Sequence, residues 1–279
     1  MLYSTLIGKT KKEAPKDEEG RSAQLLLKAG FIQKEMAGVY TFLPLGYKVL
    51  QNIIQIIREE MNAIGGQEML LGALQNKEVW EKTNRWSDEE VDVWFKTSLK
   101  NGTELGLGFS HEEPLVNILN KEVKSYKDLP LYAYQFQTKF RNELRAKGGL
   151  LRTREFIMKD MYSFDKTEQD FEEFYERSKV AYMKVFERVG IGEKTFLTFA
   201  SGGSFSKYSH EFQTVCAAGE DTIYLSRTKN IAINKEVLAD EVLNELGLNK
   251  AELEEVNAVE VGNIFPLKTR FSDAGNLKF

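Results

Sequence analysis

Residues 139–159 read Lys-Phe-Arg-Asn-Glu-Leu-Arg-Ala-Lys-Gly-Gly-Leu-Leu-Arg-Thr-Arg-Glu-Phe-Ile-Met-Lys, and this stretch decides our prediction of the fold. Two runs that mix apolar and charged residues flank the pair Gly148-Gly149, where glycine favours a turn. The pattern predicts two antiparallel strands, one from Leu131 to Arg141 and one from Leu150 to Lys159, joined by a loop.

The stretch is also locally basic. Seven of its 21 residues are Lys or Arg and two are acidic, although the whole chain carries a net charge of −4. Side chains alternate between the two faces of a strand. Alternation is expected to place Arg141 and Glu143 on one face of the first strand, and Arg152, Arg154 and Phe156 on one face of the second.

Several guanidinium groups beside an aromatic ring and a carboxylate suit a ligand that has phosphates and a planar base. Arginine is favoured there because its planar fork binds phosphate oxygens bidentately. The alternative is a solvated hairpin with a charged outer face, which is the commoner origin of a charge run. These residues alone leave both interpretations open.

The rest of the chain alternates helical and strand-like patterns, which predicts an α+β fold with a mixed or mainly antiparallel sheet flanked by helices. A long helix is expected from Pro44 to the pair Gly65-Gly66. The other predicted helices are 22–29, 76–86, 112–124, about 167–189 and 235–246, and the other predicted strands are a hairpin within 31–43, then 67–71, 105–109, 195–199, 211–216 and 222–225.

Two polar segments adjoin predicted strands. In Gly108–Glu113 a carboxylate with a nearby hydroxyl, Glu112 and Ser110, could receive a substrate amine. The alternative is that Ser110 and Glu113 only cap the following helix, since Ser-x-x-Glu is a capping pattern. In Gly202–Phe212, Ser209 and His210 lead into a strand, and the alternative there is a turn with a surface histidine.

Composition excludes several classes of protein. A chain of 279 residues with 42% hydrophobic and 29% charged residues is typical of a globular protein. Cys216 is the only cysteine, and His111 and His210 are the only histidines, so we predict neither a disulfide nor a protein-held metal site. With no secretory pattern at the N-terminus and no stretch of about 20 apolar residues, the expected location is the cytoplasm, without membrane partners.

Taken together, these segments resemble the catalytic core of class II aminoacyl-tRNA synthetases, and among them the prolyl-tRNA synthetases of the bacterial type. The similarity extends over nearly the whole chain, and we interpret residues 1–279 as one catalytic core. The matching pieces are Gly38–Gly46, Phe140–Glu143 (Phe-Arg-Asn-Glu), Gly148–Phe156, Met158–Asp160, Ser209–Gln213 and Ala218–Asp221.

The resemblance implies ATP-binding roles for four residues. Arg141, the implied catalytic residue, would hold the α-phosphate of ATP and the carboxylate of the amino acid. Glu143 would contact the adenine amino group, Arg152 would contact the γ-phosphate, and the ring of Phe156 would stack under adenine.

The resemblance implies a proline pocket as well. Ser110 and Glu112 stand where the family binds the imino group of L-proline, Arg141 would hold its carboxylate, and Ser209 with His210 would line the pocket. Proline and ATP, with Mg²⁺ bridging the phosphates, would form prolyl-adenylate and pyrophosphate. The prolyl group would then pass to the acceptor end of tRNA(Pro). The resemblance also implies a homodimer.

Some family features are missing from these residues. The Gly-x-Gly-x-x-Arg motif of the family has no match, so we expect an incomplete core without the anticodon-binding domain and weak activity from this chain alone. A short segment, about 226–260, stands where many bacterial members carry an editing insertion. The alternative interpretation is a non-catalytic binding or regulatory relative that retains the ligand pocket.

Overall fold

The computed structural model describes residues 2–13, 15, 18, 20–203 and 208–277. The chain divides into two compact units, Met1–Lys166 with Phe271–Phe279, and Thr167–Arg270. The assignment of residues 1–279 to one catalytic core stays a prediction, because two compact units can serve a single functional core.

The helices and strands follow one another along the described residues. The helices are α1 (Arg21–Lys28), α2 (Pro44–Ala63), α3 (Lys77–Glu81), α4 (Glu112–Glu122), α5 (Glu168–Arg188), α6 (Asp240–Leu246) and α7 (Arg270–Ala274). The strands are β1 (Ile32–Met36), β2 (Val39–Phe42), β3 (Gln67–Glu68), β4 (Leu74–Asn76), β5 (Phe95–Ser98), β6 (Glu104–Leu107), β7 (Leu131–Phe140), β8 (Glu155–Phe164), β9 (Thr195–Ser201), β10 (Tyr208–Val215), β11 (Asp221–Ser226), β12 (Ile231–Asn234) and β13 (Glu254–Ile264).

The first unit is built on the long antiparallel pair β7–β8, with β3 parallel to β7 at its other edge. A second, antiparallel sheet has the order β4-β6-β5, and β1 with β2 forms a hairpin. The predicted α+β class with mixed and antiparallel sheets is therefore confirmed. The predicted helix at Pro44 is confirmed too, and its proline occupies the first turn, where a backbone N–H has no helical partner.

One face of the β7–β8 pair carries a row of polar side chains. Lys139 lies opposite Phe156 and Gln135 lies opposite Asp160, and directly opposed residues of antiparallel strands share a face. The same face presents Tyr162 to an apolar cluster that it forms with Leu71, Leu115, Leu119, Val123 and Leu129. Buried polar groups therefore lie beside the hydrophobic core of this unit.

The second strand of the pair begins at Glu155, so the predicted strand start at Leu150 is wrong. Residues 141–154 form a loop, and the argument that alternation orders Arg141, Glu143, Arg152 and Arg154 on strand faces is wrong with it. The reason is that the chain leaves the sheet here. Gly148 and Gly149 both adopt positive φ, +66° and +65°, and the Arg154 N–H bonds the Gly38 carbonyl of the β1–β2 turn at 2.8 Å instead of a neighbouring strand.

The second unit is a closed barrel in which the strand order is β10-β13-β11-β12-β9. All pairs are antiparallel except β12 with β9. Its interior holds Phe196, Ile223, Leu225, Ala232 and Ala258, and α5 packs aromatic rings on the outside of β10. The predicted helix 235–246 is shorter, because α6 begins at Asp240 after an extended Ala239.

Strands β4, β5, β12 and β13 had no counterpart in the sequence-based prediction. Among the described residues, every helix is too short or too polar to cross a lipid bilayer.

Candidate functional site

The turn between β6 and α4 brings a hydroxyl onto a carboxylate. Ser110 donates to Glu112, with an oxygen–oxygen distance of 2.7 Å to Oε1. Helix α4 begins at Glu112, and His111 occupies the cap position. The alternative role of Ser110 as a helix cap is therefore wrong, because His111 occupies the cap position, no side chain caps the helix, and the Ser110 hydroxyl donates to the Glu112 carboxylate.

Arg85 neutralises part of the charge on this turn. Its Nη1 lies 3.0 Å from an oxygen of Glu112 and 3.0 Å from each oxygen of Glu113, and all three side chains are buried. The guanidinium carbon also lies 5.1 Å from the Trp80 ring centre and 5.0 Å from that of Phe109. Aromatic faces attract a cation, so this aromatic surround stabilises the buried guanidinium.

A second ion pair lies on the polar face of β7–β8. Lys139 is fully buried (0% exposed), and its Nζ donates to Asp160 Oδ2 at 2.9 Å. The same oxygen accepts from Gln135 at 2.8 Å and from the Tyr162 hydroxyl at 2.8 Å. Burial lowers the pKa of Lys139, while Asp160 and then Glu112 raise it. A buried charge needs such pairing to be tolerated.

His111 joins this pair to the preceding segment of the chain. Its Nδ1 accepts from Lys139, and its Nε2 lies 3.1 Å from the carbonyl oxygen of Gly72. Burial first, and then the Lys139 ammonium, lower the pKa of His111 to about 4. The ring is therefore neutral at neutral pH.

The buried charges around the turn do not balance. Arg85 and Lys139 are the buried cations and His111 is neutral, whereas three acidic side chains, Glu112, Glu113 and Asp160, are buried with them. Burial, followed by the repulsion from Glu112, raises the pKa of Glu113 to about 7, against the opposing effect of Arg85. Buried acidic side chains thus outnumber buried basic ones around the turn, and Glu112 lies next to the Ser110 hydroxyl, which suits a cationic ligand.

The basic loop 141–154 is held by backbone hydrogen bonds. Arg141 N–H bonds the Arg154 carbonyl at 2.9 Å, and the Arg141 guanidinium carbon lies 5.4 Å from the ring centre of Phe156. Arg154 Nε donates to the Glu143 carbonyl at 3.0 Å and its Nη1 to the Ala37 carbonyl at 2.7 Å. The Arg154 side chain therefore stabilises the loop through hydrogen bonds to backbone carbonyls of the protein.

The structure thus brings together some of the predicted ATP residues. Arg141 and Phe156 are neighbours, and Arg141 lies close enough to Lys139 for its charge to lower the pKa of that lysine. Glu143 is half-buried two residues further on, and Arg152 is exposed after a backbone bridge with Lys147. Lys139 and Arg154 are engaged within the protein and Arg152 is exposed to solvent, and the binding of phosphates and a planar base by this stretch stays a prediction.

Ser209 and His210 belong to the second unit. The Ser209 hydroxyl is buried and donates to the Ser201 carbonyl at 2.7 Å. The Tyr175 hydroxyl lies 3.1 Å from the Ile264 carbonyl oxygen and 2.9 Å from Nδ1 of His210, and its single proton can be donated to one of them. Burial, and then Lys179, lower the pKa of His210 to about 4, so its ring is neutral at neutral pH. Their role in a proline pocket stays a prediction.

Sequence reasoning missed most of the buried network. Arg85 lies far in sequence from the stretch that holds Lys139, Asp160 and Tyr162, and none of the four was predicted to be a site residue. The three tryptophans of the chain lie close to Arg85 in sequence, and they pack together in the structure. An arginine within such an aromatic segment is a signal that could have pointed to Arg85. Within the described part of the chain, no group of three or more His, Cys, Asp or Glu side chains could hold a metal ion.

Comparison with known proteins agrees with the family expected from the sequence. Residues 95–278, more than half of the chain, match the tRNA synthetase class II core domain (G, H, P, S and T). Proline–tRNA ligase of Bacillus subtilis is 42% identical over 264 residues, which cover 95% of this chain and 46% of that protein. The Bacillus cytotoxicus proline–tRNA ligase is 44% identical over 237 residues, 85% of this chain and 42% of that protein. The chain thus spans about half the length of these relatives.

Solved structures support the fold. Prolyl-tRNA synthetase of Giardia lamblia in complex with prolyl-adenylate has a TM-score of 0.69 at 18% identity, covering 88% of this chain and 44% of that one. The Cryptosporidium parvum enzyme complexed with L-proline and AMP has a TM-score of 0.67 at 14% identity, covering 92% and 44%. The family predicted from the sequence is confirmed, and the chain belongs to the class II tRNA synthetase core domain family (G, H, P, S and T).

Proposed function

We propose that this chain supplies the amino acid-activating core of a proline–tRNA ligase. In the proposed reaction it uses ATP to convert L-proline into prolyl-adenylate, and the prolyl group then passes to tRNA(Pro). The observation that carries the proposal is the buried turn in which Ser110 and Glu112 lie among buried acidic side chains that outnumber the basic ones. Its relatives at 42% and 44% identity are proline–tRNA ligases.

The imino group of proline is a cation at neutral pH, and it fits this turn. Its two N–H groups can donate to Glu112 and to the Ser110 oxygen, a charge-assisted arrangement that is stronger than a neutral one. The ligand would offset the repulsion from Glu112, which adds to burial in raising the pKa of Glu113. The proline carboxylate would then extend toward Arg141, whose charge already acts on neighbouring Lys139.

ATP would lie across the start of the basic loop. Adenine stacked on Phe156, with its amino group near Glu143, places the α-phosphate near the Arg141 guanidinium, which lies 5.4 Å from the same ring. Exposed Arg152 would reach the γ-phosphate. Mg²⁺ bound with the ATP would help to neutralise the charge of its phosphates.

In the activation step, a carboxylate oxygen of proline attacks the α-phosphorus, the new P–O bond forms, and pyrophosphate leaves in line. Arg141 would stabilise the charge that develops on the phosphoryl oxygens, and the main contribution of the site is the orientation of both reactants. In the transfer step, a ribose hydroxyl at the tRNA 3′ end attacks the prolyl carbonyl carbon and AMP leaves.

Ser209 and His210 are proposed as further residues of the proline pocket. Because Ser209 donates its proton to Ser201, it could face the ligand only as an acceptor. The tRNA(Pro) acceptor end, a homodimer and a cytoplasmic location complete the proposal, and they rest on the family. Sedimentation, tRNA filter binding and cell fractionation test them separately.

The decisive experiment has two readouts on the purified chain. Calorimetry measures binding of a non-hydrolysable prolyl-adenylate analogue, and proline-dependent exchange of pyrophosphate into ATP measures activation, with L-alanine as the control amino acid. We expect one analogue per chain and slow, proline-specific exchange. Binding without exchange favours the non-catalytic alternative. If the chain shows no binding and no exchange, the proposal is contradicted. Rapid exchange would contradict only the expected weakness of the chain.

A further inference from the structure

A run of buried hydrogen bonds lies behind the Ser110–Glu112 turn. Lys139 donates to Asp160 and to Nδ1 of His111, and Nε2 of the same ring lies 3.1 Å from the Gly72 carbonyl oxygen. An ammonium group cannot accept, so Nδ1 is the acceptor and Nε2 carries the proton that Gly72 receives. The ring therefore has one fixed tautomer, and both Lys139 and His111 are fully buried.

We propose that His111 is a positioning residue: by bridging Lys139 and Gly72, its ring fixes the backbone that presents Ser110 and Glu112 to the ligand. The inference rests on the proposed function, in which that ligand is the imino group of proline. His111 itself makes no contact with substrate in this proposal. It acts through its two sequence neighbours.

The backbone on the far side of the bridge is anchored to the same sheet. Leu71 N–H donates to Gln135 Oε1 at 3.0 Å, and Gln135 in turn donates to Asp160, the partner of Lys139. Gln75 Nε2 donates to the Ser110 carbonyl at 3.1 Å. The segment from Leu71 to Gln75 thus contacts the turn in two ways, through the Gln75 side chain and through the hydrogen bond between the Gly72 carbonyl and His111.

The ring has little room to move. A Cβ added to Gly108 would lie 2.9 Å from His111 Cε1 and 2.5 Å from Gln75 Nε2, so a larger residue at this position would push against the His111 ring and displace the end of the Gln75 side chain. The low pKa of His111 agrees with this geometry, since a second proton would place a cation against Lys139 and remove the acceptor. Shape and charge therefore select the same neutral ring.

Two substitutions distinguish the hydrogen bonds of the His111 ring from the space that the ring fills. His111→Gln keeps an acceptor for Lys139 and a donor for Gly72, whereas His111→Phe keeps a ring and loses both. We expect His111→Phe to weaken proline binding by about 10- to 100-fold, the scale of a small misplacement in an active site. Binding of ATP is expected to change by less than about twofold, and His111→Gln is expected to restore proline affinity to within about threefold.

Tyr134→Phe is the matched control for loss of a buried hydrogen bond in the same sheet. Tyr134 lies on the opposite face of β7, and its hydroxyl donates to Asn62 at 2.7 Å. This variant is expected to lose stability without losing proline affinity. Calorimetry with L-proline and with ATP measures both affinities for each variant.

A spectroscopic readout tests the bridge without activity. The chain has two histidines, so ¹⁵N-labelled histidine gives two ring systems, and the signals absent from His111→Phe identify His111. We expect Nε2 protonated and Nδ1 unprotonated from pH 8 to 5.5, and loss of that fixed tautomer in Lys139→Met.

The possible failures are distinguishable. A wild-type chain that does not bind proline overturns the proposed function. Two results would overturn the positioning role alone, provided that the wild-type chain binds proline. In the first, His111→Phe binds proline as well as the wild type does. In the second, His111→Phe loses affinity for ATP to the same extent as for proline. A proton on Nδ1 overturns the bridge whatever the ligand is.

Discussion

The turn at Ser110–Glu113 and the loop 141–154 form two ends of the proposed site within the first unit, and they are built differently. The turn presents two buried carboxylates, Glu112 and Glu113, that are both paired with Arg85, and Glu112 also accepts from the Ser110 hydroxyl. The loop is tied down through its backbone and leaves side chains in solvent, with Leu144 90% exposed. The amine end is thus preorganised, while the phosphate end depends on the ligand to order its side chains.

Preorganisation has a cost in folding and a benefit in binding. Burying ions is unfavourable unless each is paired, so the turn ties its ligand selectivity to the stability of the unit. Ordering exposed arginines on ATP costs side-chain entropy, about 0.5–1.5 kcal/mol for each long side chain. Substitutions at the two ends should therefore differ in kind as well as in size.

The largest expected effect is on stability, from Arg85→Met. Removal of this cation leaves Glu112 and Glu113 buried without their partner, and breaking a buried pair in this way costs about 3–5 kcal/mol. Urea denaturation measures the free energy of unfolding. The control, Arg58→Met, removes a partly exposed pair with Glu68 and should cost less than about 1 kcal/mol. Equal losses in the two variants would show that the turn is no more charge-dependent than the surface.

A smaller effect is expected at the nucleotide end, from Phe156→Leu. Leucine retains apolar bulk and loses stacking on adenine, which is worth about 0.5–1.5 kcal/mol for an aromatic pair, or about two- to twelvefold in ATP affinity. Titration calorimetry with ATP checks this, and proline affinity should stay constant. A loss of proline affinity with ATP unchanged would reverse our assignment of the two ends.

The smallest expected effect is a proton released when proline binds. The pKa of Glu113 is raised to about 7, so near neutral pH part of the free chain holds a proton there. A bound cation favours the charged carboxylate and lowers this pKa, so protons should leave, by less than one per chain. Release should be largest just below pH 7, between the lowered pKa of the complex and the pKa of the free chain, and it should vanish well above pH 7. Calorimetry in two buffers of different ionisation enthalpy measures the number, and proton uptake at pH 7 would contradict the sign.

Local patterns in the sequence predicted much of the fold, because periodicity and turn residues act over short distances. The helix at Pro44 and the pairing of β7 with β8 follow from such signals. The three-residue strand β4 and the four-residue strand β5 did not, because their strand state comes from pairing with β6. The sequence pattern assigned part of the loop 141–154 to a strand, because the hydrogen bond that attaches this loop to Gly38 is a long-range contact.

The site shows the same limit. Ser110 and Glu112 are two residues apart and could be proposed together from the sequence. Arg85 and Lys139 could not, since only folding brings them to the turn, and a buried lysine reads in sequence like any other charge of a basic stretch. The balance of buried charges is a property of the folded unit, so its excess of buried acidic side chains was inaccessible to motif reasoning.

The most direct test of the account compares two ligands on two proteins. The ligands are a non-hydrolysable prolyl-adenylate analogue and its carbocyclic counterpart, in which a CH₂ replaces the ring nitrogen, and the proteins are the wild-type chain and Glu112→Gln. A charged hydrogen bond contributes about 1.5–3 kcal/mol, so the wild type should prefer the nitrogen ligand by about 10- to 100-fold. Glu112→Gln should abolish most of that preference while binding the carbocyclic ligand normally. An unchanged preference in Glu112→Gln would contradict the claim that this turn recognises the imino group.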